Sequence, residues 1–207
     1  MPGTNAVVQW ARLGQLLKAA IQGIRDAAAG DMPKIVIHID RGADWKRTKW
    51  FFDNLNAQGV PYDIIGESYY PFFHGPLTNV AICLDNAARR FGRPIFIAET
   101  GFPWIYSPSI YGIPATTNGQ VQFLVTLGQI VKGVPNHLGA GIFWWGAEYQ
   151  ILDANEAGVG TRSLFDDHGN LLPAADVLGQ FTTSMALNSR LSGPDRQREA
   201  RQSKSHN

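Results

Sequence analysis

Short apolar runs alternate with amphipathic, helix-period segments along most of this chain, and that alternation points to a parallel sheet, because parallel strands need a crossover, usually a helix, between them. The runs are Lys34 to Ile39, Tyr62 to Tyr70, Pro94 to Ala98 and Gly139 to Trp145. They start at residues 34, 62, 94 and 139, a spacing near the roughly 31 residues per unit of an eight-unit barrel of about 250 residues. The spacing is that of a TIM barrel. Only four such strands and one leading helix are legible, so the expected fold class is α/β, a partial TIM (β/α)8 barrel with a parallel sheet and half of the barrel absent from these residues.

The helical segments carry their own punctuation. Trp10, Leu13, Leu17, Ala20, Ile21 and Ile24 fall on one face of a helix that runs to the Gly30 turn. Asp44 can cap a helix with Thr48, Phe51, Phe52 and Leu55 inward, and Gly59 stands where a left-handed stop is wanted. Gly75 and Pro76 open a third helix with Val80, Leu84, Ala87, Ala88 and Phe91 inward and Gly92 at its end. Thr117 and Gln120 are spaced as a capping box before Val121, Leu124, Val125, Gly128 and Val131, with Gly133 as the stop. Pro173 can start a last helix carrying Val177, Leu178 and Phe181. Residues 1–187 thus form one unit. Residues 188–207 are a polar, charged tail with little to bury, expected to be disordered.

Polar and aromatic side chains gather where the apolar runs end. The third run closes on Glu99, with Phe102, Trp104 and Tyr106 just beyond it. A carboxylate at the mouth of a buried strand is either a structural ion pair or a catalytic group, since parallel α/β folds place their chemistry at the carboxyl ends of strands. His38 and Asp40 close the first run with the same pleat parity, a pair more often structural than catalytic. The second ends in Glu67-Ser68-Tyr69-Tyr70-Pro71 and the fourth in Trp144-Trp145. Those tryptophans are core or a platform for the apolar face of a sugar. One carboxylate, a histidine, tyrosines and tryptophans at one end of one sheet are most economically a carbohydrate site. Glu99 is therefore expected in a cleft shared with Tyr69 and Trp145, with His38 and Asp40 farther off.

Eighteen basic and 17 acidic residues give a formal charge of +1, which provides no electrostatic footprint for nucleic acid or a membrane surface. The single cysteine, Cys83, excludes an internal disulfide and a cysteine zinc cluster and reads as a small core residue. No apolar run is long enough for a membrane span, and Met1-Pro-Gly-Thr-Asn lacks the features of a signal peptide. Asp153, Asn155, Glu156, Asp166 and Asp167 in the last loop offer oxygen ligands of the kind calcium takes, although acidic loops are usually just solvated.

Six motifs in order resemble glycoside hydrolase family 53, the arabinogalactan endo-β-1,4-galactanases. They are Ile35-Val36-Ile37-His38-Ile39-Asp40, then Asp63-Ile64-Ile65-Gly66 running on to Ser68-Tyr69-Tyr70-Pro71, then Ala98-Glu99-Thr100. Gly119-Gln120, Gly141-Ile142-Phe143-Trp144-Trp145, and Ser163-Leu164-Phe165-Asp166 with Gly169-Asn170 and Pro173 complete the set. The resemblance spans roughly residues 8 to 185 and implies strands five to eight of the barrel, secretion, and retaining hydrolysis of β-1,4-galactan. It implies Glu99 as nucleophile, with His38, Asp40, Ser68, Tyr69, Trp104, Trp144 and Trp145 lining the substrate site and no cofactor. The family's acid/base glutamate follows an asparagine ahead of the helix that begins here near Val8, and no Asn-Glu pair precedes Val8. The family usually has an apolar residue in place of Glu67 and an acidic one in place of Gly146. Two other readings stand beside this one: another retaining β-glycanase such as a β-1,3-glucanase, which shares the Glu-Thr-Gly-aromatic-Pro strand end, and a non-catalytic carbohydrate-binding remnant. The open half-barrel is also expected to self-associate.

Overall fold

The computed structural model describes residues 5–28, 30–105, 107–151 and 160–180. The expectations for Tyr106, Asp153, Asn155, Glu156, Phe181 and the 188–207 tail lie outside these residues. The elements run α1 (Ala6–Ala27), β1 (Val36–Ile39), α2 (Trp45–Ala57), β2 (Ile64–Tyr69), α3 (Pro71–His74), α4 (Leu77–Phe91), β3 (Ile95–Thr100), α5 (Thr117–Lys132) and β4 (Gly139–Trp144). A helix α6 follows over 173–180, beginning at Pro173 as its sequence indicates. The four strands form one parallel sheet in the order β1-β2-β3-β4. No described helix is long and apolar enough to cross a membrane.

Local chemistry sets the element ends. The Asn5 side chain accepts from the amides of Val7 and Val8, starting α1, and Asp44 accepts from the Arg47 amide, starting α2. Gly59 (φ 64°) and Gly92 (φ 60°) take the left-handed stops after α2 and α4. Two expected caps differ. The cap of α5 is Thr116, whose Oγ1 accepts from the Gly119 amide, and Gly133 ends that helix in the right-handed region. Gln120 is not part of a capping box. It is fully buried, and its Nε2 donates to the carbonyls of Phe102 at 2.9 Å and Ser163 at 3.0 Å, tying the chain after β3 to the segment before α6. The short helix α3 is an addition that periodicity does not reveal, because four residues are too few to show a period.

The two faces of the sheet have different fates. Ile37, Ile65, Ile95 and Ile97 turn toward the helices and join a core with Phe52, Leu55, Leu84, Phe123 and Leu127. Cys83 is buried in α4 as expected. A Cβ on Gly66 would come within 3.1–3.3 Å of Val36 Cγ1, His38 Cβ and Ala98 Cβ, which puts these residues side by side on the opposite face. No helix among the described residues covers that face. Val36 is 36% exposed and Phe143, tilted against Phe96 with ring centroids 5.0 Å apart, is 58% exposed.

Candidate functional site

Strict alternation along β3 would send Glu99 the same way as Ile95 and Ile97, into the helices. The pairing with β2 breaks that alternation. Glu67 opposes Ile97, the next partner pair is Ser68 with Glu99, and Ala98 is skipped. This bulge turns the strand by one residue, as an extra unpaired residue does. Ala98 and Glu99 are both half-buried, whereas Ile97 and Thr100 are fully buried. Thr100 fixes the new register by donating its hydroxyl to the Tyr69 carbonyl at 2.6 Å. Glu99 thereby emerges opposite Ser68, whose Oγ is 2.7 Å from His38 Nε2 on the open face.

Among the described residues, one hydroxyl is hydrogen-bonded to Glu99 there. Tyr70 donates its O–H to Glu99 Oε2 at 3.4 Å. Burial, with the Glu99 charge adding to it and Arg162 opposing it, pushes the Tyr70 phenol up to about 12, so it stays a donor through the neutral range. The Tyr70 amide donates to His74 Nδ1 at 3.0 Å, and burial holds His74 below the usual histidine range. Arg162, half-buried, lays its guanidinium 5.6 Å from the Tyr70 ring centroid and 5.0 Å from that of Phe72.

The remaining expected site residues divide between the two faces. Trp145 reaches the mouth of the sheet: its amide donates to the Thr100 carbonyl at 2.8 Å and its side chain is half-exposed. Tyr69 does not meet Glu99 in a cleft. Its ring is fully buried on the helix side against Phe123, and its hydroxyl donates to the Gly75 carbonyl at 2.8 Å. The reason is parity, since Tyr69 shares a face with Ile65 and Glu67 while the chain turns at Tyr70. Trp144 is likewise packed inward, edge-on to Phe123, with Nε1 donating to the Arg162 carbonyl at 2.8 Å. Trp104 is half-buried and tied to the Gly160–Arg162 turn, its amide on the Thr161 carbonyl and its Nε1 on Ser163 Oγ. Asp40 pairs with Arg41 at 3.3 Å. With His38, Trp50 and Phe51 it lines a recess of about 650 Å³ along the outer edge of β1.

Glu67 and Glu148 are the other acids near the strand ends. Glu67 is fully buried, and burial raises its carboxyl to about 8. It faces α2 and α4, where Oε1 accepts from Thr48 Oγ1 at 3.0 Å and Oε2 has no partner among the described residues. Glu148 is exposed in the turn after β4. In the last loop, Asp166 spends its oxygens on the amides of His168 and Asn170 and the Asn170 side chain. Among the described residues no cluster of three or more His, Cys, Asp or Glu is placed to hold a metal ion. Tyr70 and Arg162 are the site residues that sequence reading passes over: the first lies one step beyond the strand's alternation, the second in a stretch with no period.

Comparison with known proteins gives a consistent set of relatives. The family model described as glycosyl hydrolase family 53 matches residues 1–178. The "uncharacterized protein in bgaB 5'region" of Niallia circulans is 39% identical over 189 residues, covering 82% of this chain and 51% of that protein. The arabinogalactan endo-β-1,4-galactanase of Thermothelomyces thermophilus is 30% identical over 188 residues, covering 84% of this chain and 56% of that enzyme. A solved structure of a fungal β-1,4-galactanase superposes with a TM-score of 0.72 at 30% identity, over 82% of this chain and 55% of that one. The chain spans about half the length of the curated relatives it matches.

Proposed function

This chain belongs to glycosyl hydrolase family 53, its fold is a partial (β/α)8 barrel, and from that premise we propose that it supplies the nucleophile and one sugar-binding wall of a retaining β-1,4-galactan hydrolase. The observation that carries the reading is the bulge at Ala98, which turns Glu99 out of the helix-packed core and onto the open face beside the Tyr70 hydroxyl. Glu99 attacks the anomeric carbon of the galactosyl unit, the glycosidic oxygen leaves, and water then releases the sugar from the glycosyl-enzyme ester. The half-exposed Trp145 ring offers a surface for the apolar face of a pyranose. His38 and Ser68, hydrogen-bonded to each other, offer polar atoms on the same face.

Retention needs a second carboxyl about 5 to 5.5 Å from the nucleophile to protonate the leaving oxygen. Glu67 has a raised pKa suited to an acid but sits on the other face of the sheet. In this reading the proton comes from the complementary half of the barrel, and the polymeric substrate places the action outside the cell. An activated 2-deoxy-2-fluoro-β-galactoside tests the nucleophile without needing the acid, because a good leaving group departs unprotonated. The expected result is a stoichiometric mass increment on the peptide containing Glu99, absent in Glu99→Gln. Labelling elsewhere would move the nucleophile, and no labelling with intact galacto-oligosaccharide binding would favour a purely sugar-binding role. Galactan itself should release reducing ends only when the complementary half is supplied, since general acid help is worth roughly 10² to 10⁴ in rate.

A further inference from the structure

Arg162 is a half-buried cation with no acidic partner among the described residues. None of the ion pairs among the described residues involves it. Burial disfavours its charge, yet a guanidinium remains protonated in proteins. The two aromatic rings it lies against, Tyr70 and Phe72, hold it in place without neutralising it. Its location is tightly set. A Cβ on Gly101 would sit 3.5 Å from both Arg162 Cβ and Tyr70 Cε1, so the arginine packs over the residue two beyond Glu99. Its own carbonyl is held by Trp144 Nε1. The cation and the nucleophile therefore flank one tyrosine ring at the mouth of the sheet.

A partly desolvated charge gains from a counter-charge. A planar guanidinium carries a fork of N–H donors that fits a carboxylate by two parallel hydrogen bonds, and packing on aromatic rings orients that fork in advance. Glu99 alone would repel an anionic sugar from the mouth of the sheet, and a fixed cation on the same tyrosine ring offsets the repulsion. We propose that Arg162 recognises a carboxylate on the glycan, so that the site takes galactan bearing a uronic acid unit in the position next to the one attacked. The assignment rests on the galactan reading and deepens it.

The test compares two ligands that differ only in that group: a β-1,4-galacto-oligosaccharide carrying one uronic acid unit, and the same oligosaccharide with its carboxyl reduced to the alcohol. Binding to the 207-residue chain is measured by titration calorimetry or tryptophan fluorescence at low and high salt. The acidic ligand should bind at least tenfold more tightly at low salt, with the ratio shrinking as salt rises. Arg162→Gln should bring the ratio to about one by weakening the acidic ligand at least tenfold more than the reduced one, and Arg162→Lys should keep part of the preference because charge survives without the fork. Equal binding of the two ligands by the unmodified chain overturns the proposal, with no variant needed. So does an Arg162→Gln variant that weakens both equally, which marks a general sugar contact or a structural role. If Glu99 labels with the fluorogalactoside while the acidic preference is absent, the galactan reading stands and only the arginine assignment falls. If Glu99 does not label and neither oligosaccharide binds, both fall.

Discussion

At the scale of single residues, two glutamates on neighbouring strands show how little a residue type says without its face. Glu67 and Glu99 both stand in apolar strands, yet Glu67 is enclosed with Thr48 and Cys83 while Glu99 stands half-buried on the open side. Burial keeps Glu67 protonated in the fold, with its carboxyl near 8 against about 4.5 when exposed, and the Asp40 charge adds to the rise. Cys83, raised to about 12, remains a thiol beside it. Between those two values the folded chain holds a proton that the unfolded chain has lost. The neutral acid's stability is therefore complete below about pH 4.5 and declines as pH rises toward and through 8, by about 1.4 kcal/mol per pH unit while one proton separates the states. Urea unfolding at pH 5, 6.5 and 8 should show this slope, and Glu67→Gln, which keeps an acceptor for Thr48, should flatten it. Identical slopes would mean that water reaches Glu67. Tyr70→Phe tests the other glutamate. A hydrogen bond to a charged group is worth about 1.5–3 kcal/mol, and this one is long at 3.4 Å, so labelling of Glu99 should slow by roughly tenfold with unfolding unchanged.

At the scale of elements, what was legible in the sequence was whatever repeats. The 3.6-residue stripes of α2, α4 and α5 and the apolar runs of all four strands were visible because each residue's neighbours repeat its message. The site depends on the places where repetition stops. Pleat parity read along β2 selected Tyr69, and it does share a face with Glu67, but that face is the helix side. The residue that meets Glu99 is Tyr70, one position later. A bulge leaves no mark in composition, because Ala98 is unremarkable in either register. Gln120 misled in a similar way: its spacing from Thr117 suits a capping box, and only the packed structure shows the two carbonyls it bridges. These points yield a prediction for β3. Inserting one residue between Glu67 and Ser68 should give Ala98 a partner, restore strict alternation along β3, send Glu99 toward the helices and abolish labelling by the fluorogalactoside. An insertion variant that folds cooperatively and still labels at Glu99 would show that the bulge is not what aims the carboxylate.

At the scale of the molecule, the described helices cover one face of the sheet only. Val36, Phe96 and Phe143 line the face that no described helix covers, and β1 and β4 have no partner strand on their outer sides among the described residues. Beside β1, the exposed Trp50 adds an apolar lip to the recess that also holds His38 and Asp40. Unpaired parallel edges and an apolar face in water both favour association. The 207-residue chain alone should therefore show concentration-dependent oligomers by light scattering, and Phe143→Ser should shift that equilibrium toward monomer by removing apolar surface. A complementary (β/α)4 half from the same family should compete with self-association, because it pairs both edges and fills the open face together. Mixing the two should give a one-to-one complex with a higher melting temperature, no exposed-surface dye binding and galactan cleavage that depends on Glu99. A monodisperse, cooperatively unfolding monomer that ignores the added half would show that these edges are already satisfied, and the proton donor would then have to be sought within this chain.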